Sequence, residues 1–515
     1  MRQLDRRILP ALLLNLGLIL AFATPASASP GDLDPTFGRF GFAAGVHTSA
    51  VPAIAALPDN RVAAVTSSGS RRQTLLELDA RGDAVPDFGD NGRTLLPLRF
   101  ETVDIASSGS HIYLLATDGQ ATTVSRYTDD GTLDSTYGVG GTATISGGDP
   151  LDLAVDIAGR AVVANVGDAP LVRFSAAGNL DVAWNANLEG SITAELFAAS
   201  VAVDSAGDVL ATGWDRAVDD QIAIKVLGNG TVDVSFGQGG AAAPAVEPNG
   251  PGSAGIVSTA DGEIFVAATV CGPRCGAQLA SLTASGAPNP LFMGPVISGG
   301  PNVLAGAEGT ALTYGGDGAP RGFRALGQTG LVQRTEPTGG LDGEFGLRGR
   351  AFLYPDGARS ELSDAAVASG GNILVSGQTV GRDPAGFVAR LSQSAGRDDL
   401  DADGRDDSAD KCALVAGVRH RGCRDLGFRK LRIIRRGRQL HGRLIAADRL
   451  CSQNVAVVAY AGRGSRKRRI ATVRTNSRGS WRMPPRVGFE SLVVAPGGII
   501  DAAGFCRRAV RSETR

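Results

Sequence analysis

The densest run of side chains able to do chemistry is Asp399-Leu400-Asp401-Ala402-Asp403-Gly404-Arg405-Asp406-Asp407-Ser408-Ala409-Asp410. With Asp399 as position 1, carboxylates fall at positions 1, 3, 5, 9 and 12, and glycine falls at 6. Hard oxygens on alternate residues of a turning chain suit Ca²⁺, which takes about six to eight of them. Asp399, Asp401, Asp403, Asp407 and Asp410 would supply carboxylates, and the carbonyl of Arg405 one oxygen more. Gly404 permits the sharp bend, while Asp406 is out of phase and should face solvent. Position 12 is Asp rather than Glu, which shortens the bidentate reach and weakens the site. The plain alternative is an acidic, solvated linker.

Cysteine is the next reactive type. The six are Cys271, Cys275, Cys412, Cys423, Cys451 and Cys506, and an even number favours disulfides in an oxidising compartment. They form three local pairs, 271–275, 412–423 and 451–506, and pairing is expected in that way, although spacing alone does not fix the connectivity. Cys271-Gly-Pro-Arg-Cys275 has a second reading as a redox pair.

Familiar catalytic constellations are missing. None of Lys225, Lys411, Lys430 and Lys467 follows a glycine, so there is no Walker A loop. No G-x-S-x-G elbow and no H-E-x-x-H occurs, and His47, His111, His420 and His441 are scattered. The chain is therefore not expected to be an enzyme.

The first residues carry a compartment signal. Arg2, Arg6 and Arg7 precede an apolar run from Ile8 to Ala23, and Ala26-Ser27-Ala28 is a small-residue cleavage site. Residues 1–28 are expected to be a cleaved signal peptide, placing the protein outside the cell or at its envelope. No later apolar run is long enough to span a bilayer. From Asp425 to Arg515 there are 21 Arg plus Lys against 5 Asp plus Glu, leaving 30 against 47 before it. An acidic body thus carries a basic tail, and the two have different partners.

These residues must be positioned by a repeat. Gly31-Asp-Leu-Asp-Pro-Thr-Phe37-Gly38 returns at Gly131 to Gly138, Gly230 to Gly237 and, with one residue fewer, at Gly340 to Gly346. Weaker copies centre on Phe88, Trp184 and Phe292, so an aromatic recurs every 47 to 56 residues. Between copies, stretches such as Val201-Ala-Val-Asp-Ser-Ala-Gly207-Asp-Val-Leu-Ala-Thr212 read as strand, turn, strand. Four short strands in about 50 residues, joined by Gly and Asp turns, describe one propeller blade. The expected fold is all-β: a seven-bladed β-propeller over residues 29–396, a calcium-binding segment over 397–424 and a small β-sandwich over 425–515. The aromatics should fill the space between blades rather than form a ligand platform. The first motif, ahead of the first full unit, should complete the seventh blade.

The motif G-x-L-D-x-x-F-G-x-x-G resembles the delta-60 repeat, an uncharacterised bacterial β-propeller family, across about residues 31–396. That resemblance implies an exported propeller and carries no reaction. The acidic run, with Cys412 and Cys423 after it, has the spacing of an EF-hand-like loop and resembles one thrombospondin type 3 repeat. It departs from that family at Ala413, where proline usually follows the cysteine.

In the tail, Leu431-Arg-Ile-Ile-Arg-Arg436, Val455 to Tyr460, Ile470 to Thr475 and Ser491 to Val494 alternate as strands do. Thr475-Asn-Ser-Arg-Gly-Ser-Trp481 resembles the hairpin of small Ig-like sandwiches. Its arginines are either a soluble surface or a contact for an envelope polyanion. No zinc spacing, RNP-type motif or basic helix points to nucleic acid.

The expected function is that of a monomeric, secreted or envelope-associated binding protein, its ligand an envelope polysaccharide or protein. Two alternatives stand beside it, a propeller hydrolase or lyase with a carboxylate-lined channel and a purely structural envelope component. Inward Asp or Glu in the channel would favour the enzyme, and an apolar or glycine-lined channel the binder.

Overall fold

The computed structural model describes residues 29–393 apart from short loop stretches, the longest being 317–328. Beyond them it describes 400–402, 412, 426 and most strand residues between 429 and 512. The signal-peptide reading of residues 1–28 lies outside the described residues.

Among the described residues, seven consecutive antiparallel sheets lie between Ala50 and Leu391, each a meander of neighbouring strands. Their first strands are Ala50–Ala56, Glu101–Ser108, Asp149–Val155, Leu196–Val203, Ala254–Ser258, Asn302–Ala305 and Ser360–Val367. They pack side by side in chain order, and the last packs back against the first. This is a β-propeller, with first strands lining a central channel and apolar clusters shared between adjacent sheets.

The N-terminal motif closes the circle. The seventh sheet supplies only three strands, and Leu33 and Phe42 bridge to Leu391 and Ala389 on its outer edge. Arg390 lies 2.8 Å from Asp34, and its guanidinium stacks 4.6 Å from the Phe37 ring. The same construction recurs in the sheets that carry Arg126–Asp134–Tyr137, Arg173–Asp181–Trp184 and Arg334–Asp342–Phe345. The arginine thus neutralises the motif aspartate while covering the motif aromatic.

In several motifs the opening glycine sits on the aromatic of the preceding sheet. A Cβ on Gly131 would come 2.8 Å from the Phe88 ring, and its φ of +79° suits glycine. Gly31 meets Phe345, Gly82 meets Phe37 and Gly178 meets Tyr137 in the same way. The glycine after the aromatic ties the interface: Gly89 N–H donates to Asp130 C=O at 2.7 Å, and Gly346 N–H to Pro30 C=O at 2.7 Å. Phe37, Phe88, Tyr137, Trp184, Phe236 and Phe345 are accordingly buried between sheets, as expected, and Phe292 is half-buried.

One unit departs from the four-strand expectation. After Trp184 comes Asn185, not glycine, and the chain forms the helix Val182–Ser191 in place of a fourth strand. Asp181 accepts the Trp184 N–H at 3.2 Å as the helix cap, so the motif aspartate that elsewhere holds a turn here starts a helix.

In the tail, Arg429–Arg436, Gln439–Ala446 and Ser480–Arg482 form one sheet, and Arg468–Arg474, Ala456–Ala461, Leu492–Ala495 and Ala509–Ser512 a second. Leu431, Leu444 and Trp481 of the first share a core with Val457, Val493 and Ala509 of the second. Two sheets over one core make a small sandwich. Cys451 and Cys506, which cluster with Leu426, are disulfide-bonded, with Cα atoms 5.5 Å apart.

Candidate functional site

The channel is built by a repeated irregularity in the first strands. Pairing to the second strand slips between Thr102 and Asp104, between Ala198 and Ser200, and between Leu362 and Asp364. In the third sheet the slip falls opposite Ala164 and Asn165, just before Asp152. A bulge re-aims the residue that follows it. Here it brings Asp104, Asp152, Ser200 and Asp364 to the channel wall.

Each of these side chains reaches the next sheet. Asp104 accepts the Leu153 N–H at 2.9 Å, Asp152 the Val201 N–H at 2.8 Å and Asp364 the Ile54 N–H at 2.8 Å. Ser200 takes the Ile256 N–H at 3.3 Å and donates to Asp152 at 2.6 Å. The remaining oxygens accept from the chain beside them: Ile105 N–H to Asp104 and Leu153 N–H to Asp152, with Ala365 N–H and the Tyr314 hydroxyl to Asp364. All six carboxylate oxygens are thereby engaged by main-chain N–H groups, and the acids act as clasps between sheets.

The electrostatics are strained in one direction. The channel cavity, of about 570 Å³, is lined by these three aspartates and Tyr314 among others, and among the described residues no Lys, Arg or His lines it. Loss of water on burial pushes the Asp104 carboxyl well above its usual range, and the charges of Asp152 and Asp364 push it further. Burial raises Asp364 to about 6, and burial beside Asp364 raises the Tyr314 hydroxyl.

These acids were not singled out in the sequence, although a signal exists. Val103-Asp104-Ile105-Ala106, Leu151-Asp152-Leu153-Ala154 and Ser363-Asp364-Ala365-Ala366 occupy one position of the repeat, with Ala199-Ser200-Val201-Ala202 between them. Each acid is followed by small or apolar residues in its strand.

The calcium-loop residues meet the structure only in part. Asp401 is buried, Ala402 turns the chain with φ +57°, and Leu400 C=O accepts the Leu33 N–H at 3.3 Å. Asp399, Asp403, Arg405, Asp407 and Asp410 lie outside the described residues. Among the described residues no group of three His, Cys, Asp or Glu could hold a metal. Cys412 is buried and disulfide-bonded, while Cys423 lies outside the described residues. Cys271 and Cys275 are direct cross-strand partners in one hairpin.

No helix among the described residues is long and apolar enough to cross a membrane. No family model matches the chain, and no curated protein matches it. Solved structures do. The chain is similar to virginiamycin B lyase from Staphylococcus aureus at 12% identity and TM-score 0.41, covering 66% of this chain and 95% of that one. It is similar to regucalcin, a calcium-binding protein from Agrobacterium tumefaciens, at 12% identity and TM-score 0.34, covering 72% and 97%. A protein of unknown function from Dyadobacter fermentans aligns at 12% identity and TM-score 0.35, covering 72% of this chain and 100% of that one.

Proposed function

We propose that this is an exported binding protein, in which a seven-bladed propeller of delta-60-like repeats is a rigid scaffold and binding falls to its outer surfaces and to the tail. The observation that carries this reading is the state of the channel acids: each of their six oxygens already holds a main-chain N–H. A wall made this way holds the ring together and offers a ligand little. The acidic run is a thrombospondin type 3-like segment whose calcium stiffens the junction between propeller and tail. Asp399, Asp401, Asp403, Asp407, Asp410 and the Arg405 carbonyl would hold the ion, and the basic tail contacts an envelope polyanion. Cleavage after Ala28 and disulfides at 271–275 and 412–423 complete the picture of an exported chain.

A hydrolase or lyase is the second reading, favoured by Asp104 and Asp152 standing together at a cavity, with the Asp104 carboxyl raised by burial. One experiment separates the two. The purified protein and its Asp104→Asn/Asp152→Asn variant are exposed to envelope glycans, with binding and product release both followed. Retention of an envelope component by both proteins, without product, supports the binding reading. Turnover by the wild type alone overturns it.

A further inference from the structure

The closing segment of the propeller begins at the residue that cleavage after Ala28 would expose. Ser29 C=O accepts the Asp32 N–H at 3.0 Å, and Ser29 N–H donates to the Asp32 carboxylate at 3.1 Å. Proline followed by glycine, with Gly31 at φ +85°, is the composition of a type II turn, and this turn folds Ser29 back onto Asp32. The turn is fastened on both sides. Pro30 C=O accepts the Gly346 N–H of the sixth unit at 2.7 Å. Gly31 N–H donates to Ser392 C=O at 2.8 Å, and Ser392 N–H returns to Asp32 C=O at 2.8 Å, beside the seventh sheet. Ser29 is half-buried, and Asp32 is only 1% exposed. The Asp32 carboxylate is therefore fixed within hydrogen-bond reach of one particular nitrogen.

We infer that removal of residues 1–28 turns this contact into a lock: the amide nitrogen of Ser29 becomes an ammonium that pairs with Asp32 and holds the closing segment in the ring. The inference rests on the reading of the chain as exported and cleaved, and adds what cleavage does to the fold. A signal peptidase adds water across the Ala28–Ser29 bond. The C–N bond breaks, the water oxygen stays with Ala28 as carboxylate, and both water hydrogens finish on the Ser29 nitrogen as NH₃⁺. An α-amino group titrates at about 8, so this one is charged at neutral pH. The atom already 3.1 Å from Asp32 thus gains a full charge where it stands. An ammonium holds a carboxylate more strongly than an amide does, most of all where the carboxylate is out of water. The same geometry sets the order of events. Gly31 lies within about 10 Å of chain from the scissile bond, and in the closed ring it is buried. A bond this close to a buried turn is shut to a protease, so cleavage precedes closure and the ion pair forms as the segment docks.

The test uses the full mature chain beginning at Ser29, the same chain begun at Ala28, and Asp32→Asn in each. Beginning at Ala28 keeps the net charge but moves the ammonium one residue away, about 3.8 Å of chain. Acetylation of the α-amine by acetic anhydride at neutral pH, followed by peptide mass spectrometry, reports on the ion pair itself. In the Ser29 chain it should run at least about threefold slower than in its Asp32→Asn variant, because pairing withholds the free amine. In chains begun at Ala28 the substitution should change nothing. Unfolding temperatures should follow the same cycle: the added Ala28 lowers that of the wild type and leaves that of Asp32→Asn where it was. Equal acetylation rates in the two Ser29 chains, or an equal loss of stability from Ala28 in both backgrounds, overturn the ion pair and leave the export reading standing. Export of the native chain with residues 1–28 retained, seen by intact mass, overturns both.

Discussion

Arg390 donates to Asp34 at 2.8 Å across 356 residues of sequence, and this pair fastens the two ends of the propeller. The same guanidinium donates to the Ala80 carbonyl at 2.7 Å, so one side chain joins the closing segment, the seventh sheet and the first. Both charges are largely buried, with Arg390 only 4% exposed. Breaking a buried pair by removing one partner strands the other charge, at a cost of about 3–5 kcal/mol. Asp34→Ala should therefore lower the urea unfolding midpoint substantially. A shift of less than about 1 kcal/mol would show that closure rests on the strand bridges of Leu33 and Phe42 alone.

The glycines of the motif make a second, sharper test. Gly131→Ala would place its Cβ 2.8 Å from the Phe88 ring at φ +79°, whereas Gly140 has φ +61° with nothing within 4 Å. Left-handed strain is common to both and costs roughly 1–3 kcal/mol. Only Gly131 adds a clash with a fully buried ring. Gly131→Ala should be the more destabilising of the two by about 1 kcal/mol or more in denaturant unfolding. Equal effects would mean that the ring shifts freely between the sheets.

Much of this was legible in advance, and the reason is physical. The aromatic, the opening glycine and the following glycine each serve one interface, so the repeat had to appear in the sequence as a fixed spacing. Even the closing role of the first motif followed, because Phe37 stood ahead of any full unit. The helix at Val182–Ser191 did not, since its aspartate looks the same whether it caps a helix or holds a turn. The channel acids were missed for a different reason. They have no motif of their own, and only the alignment of bulged strands from separate units brings Asp104, Asp152 and Asp364 together.

Those acids predict an unusual pH dependence. The groups facing Asp364 and Asp104 are Asp152 and Tyr314, and among the described residues the channel lining carries no base. In the folded state Asp364 is raised to about 6 from an ordinary 3.8, and Asp104 also moves upward. A carboxyl whose pKa is higher folded than unfolded adds stability that is full below about pH 4 and is lost as pH rises through its folded value. For Asp364 the loss between pH 4 and 7 is on the order of 3 kcal/mol. Thermal unfolding of the wild type should thus show this cluster opposing stability toward neutral pH, and Asp364→Asn should flatten that component while Asn keeps an oxygen for the Ile54 N–H. Superimposable pH profiles for the two proteins would remove the cluster as their source.

The calcium segment gives the last prediction. Leu400 and Ala402 are the first part of that run to meet the propeller. Leu400 C=O holds the Leu33 N–H, and Ala402 packs in one cluster with Leu33, Phe345 and Leu391. The acidic run therefore begins against the closing segment, and Asp401 is buried there at 1% exposure. Carboxylates gathered in one turn repel each other until a cation enters, and ordering the run should tighten its grip on Leu33. Extracellular modules of this kind bind Ca²⁺ at about 10⁻⁴–10⁻³ M. At a few millimolar calcium, such a site would stabilise the fold by roughly 1–2 kcal/mol through mass action. Calorimetry should find one binding event, abolished by Asp401→Ala. Calcium should also raise the unfolding temperature and protect residues 397–424 from protease, in the wild type and not in the variant. Identical protease sensitivity with and without calcium, and no binding heat, would reduce the run to a solvated linker.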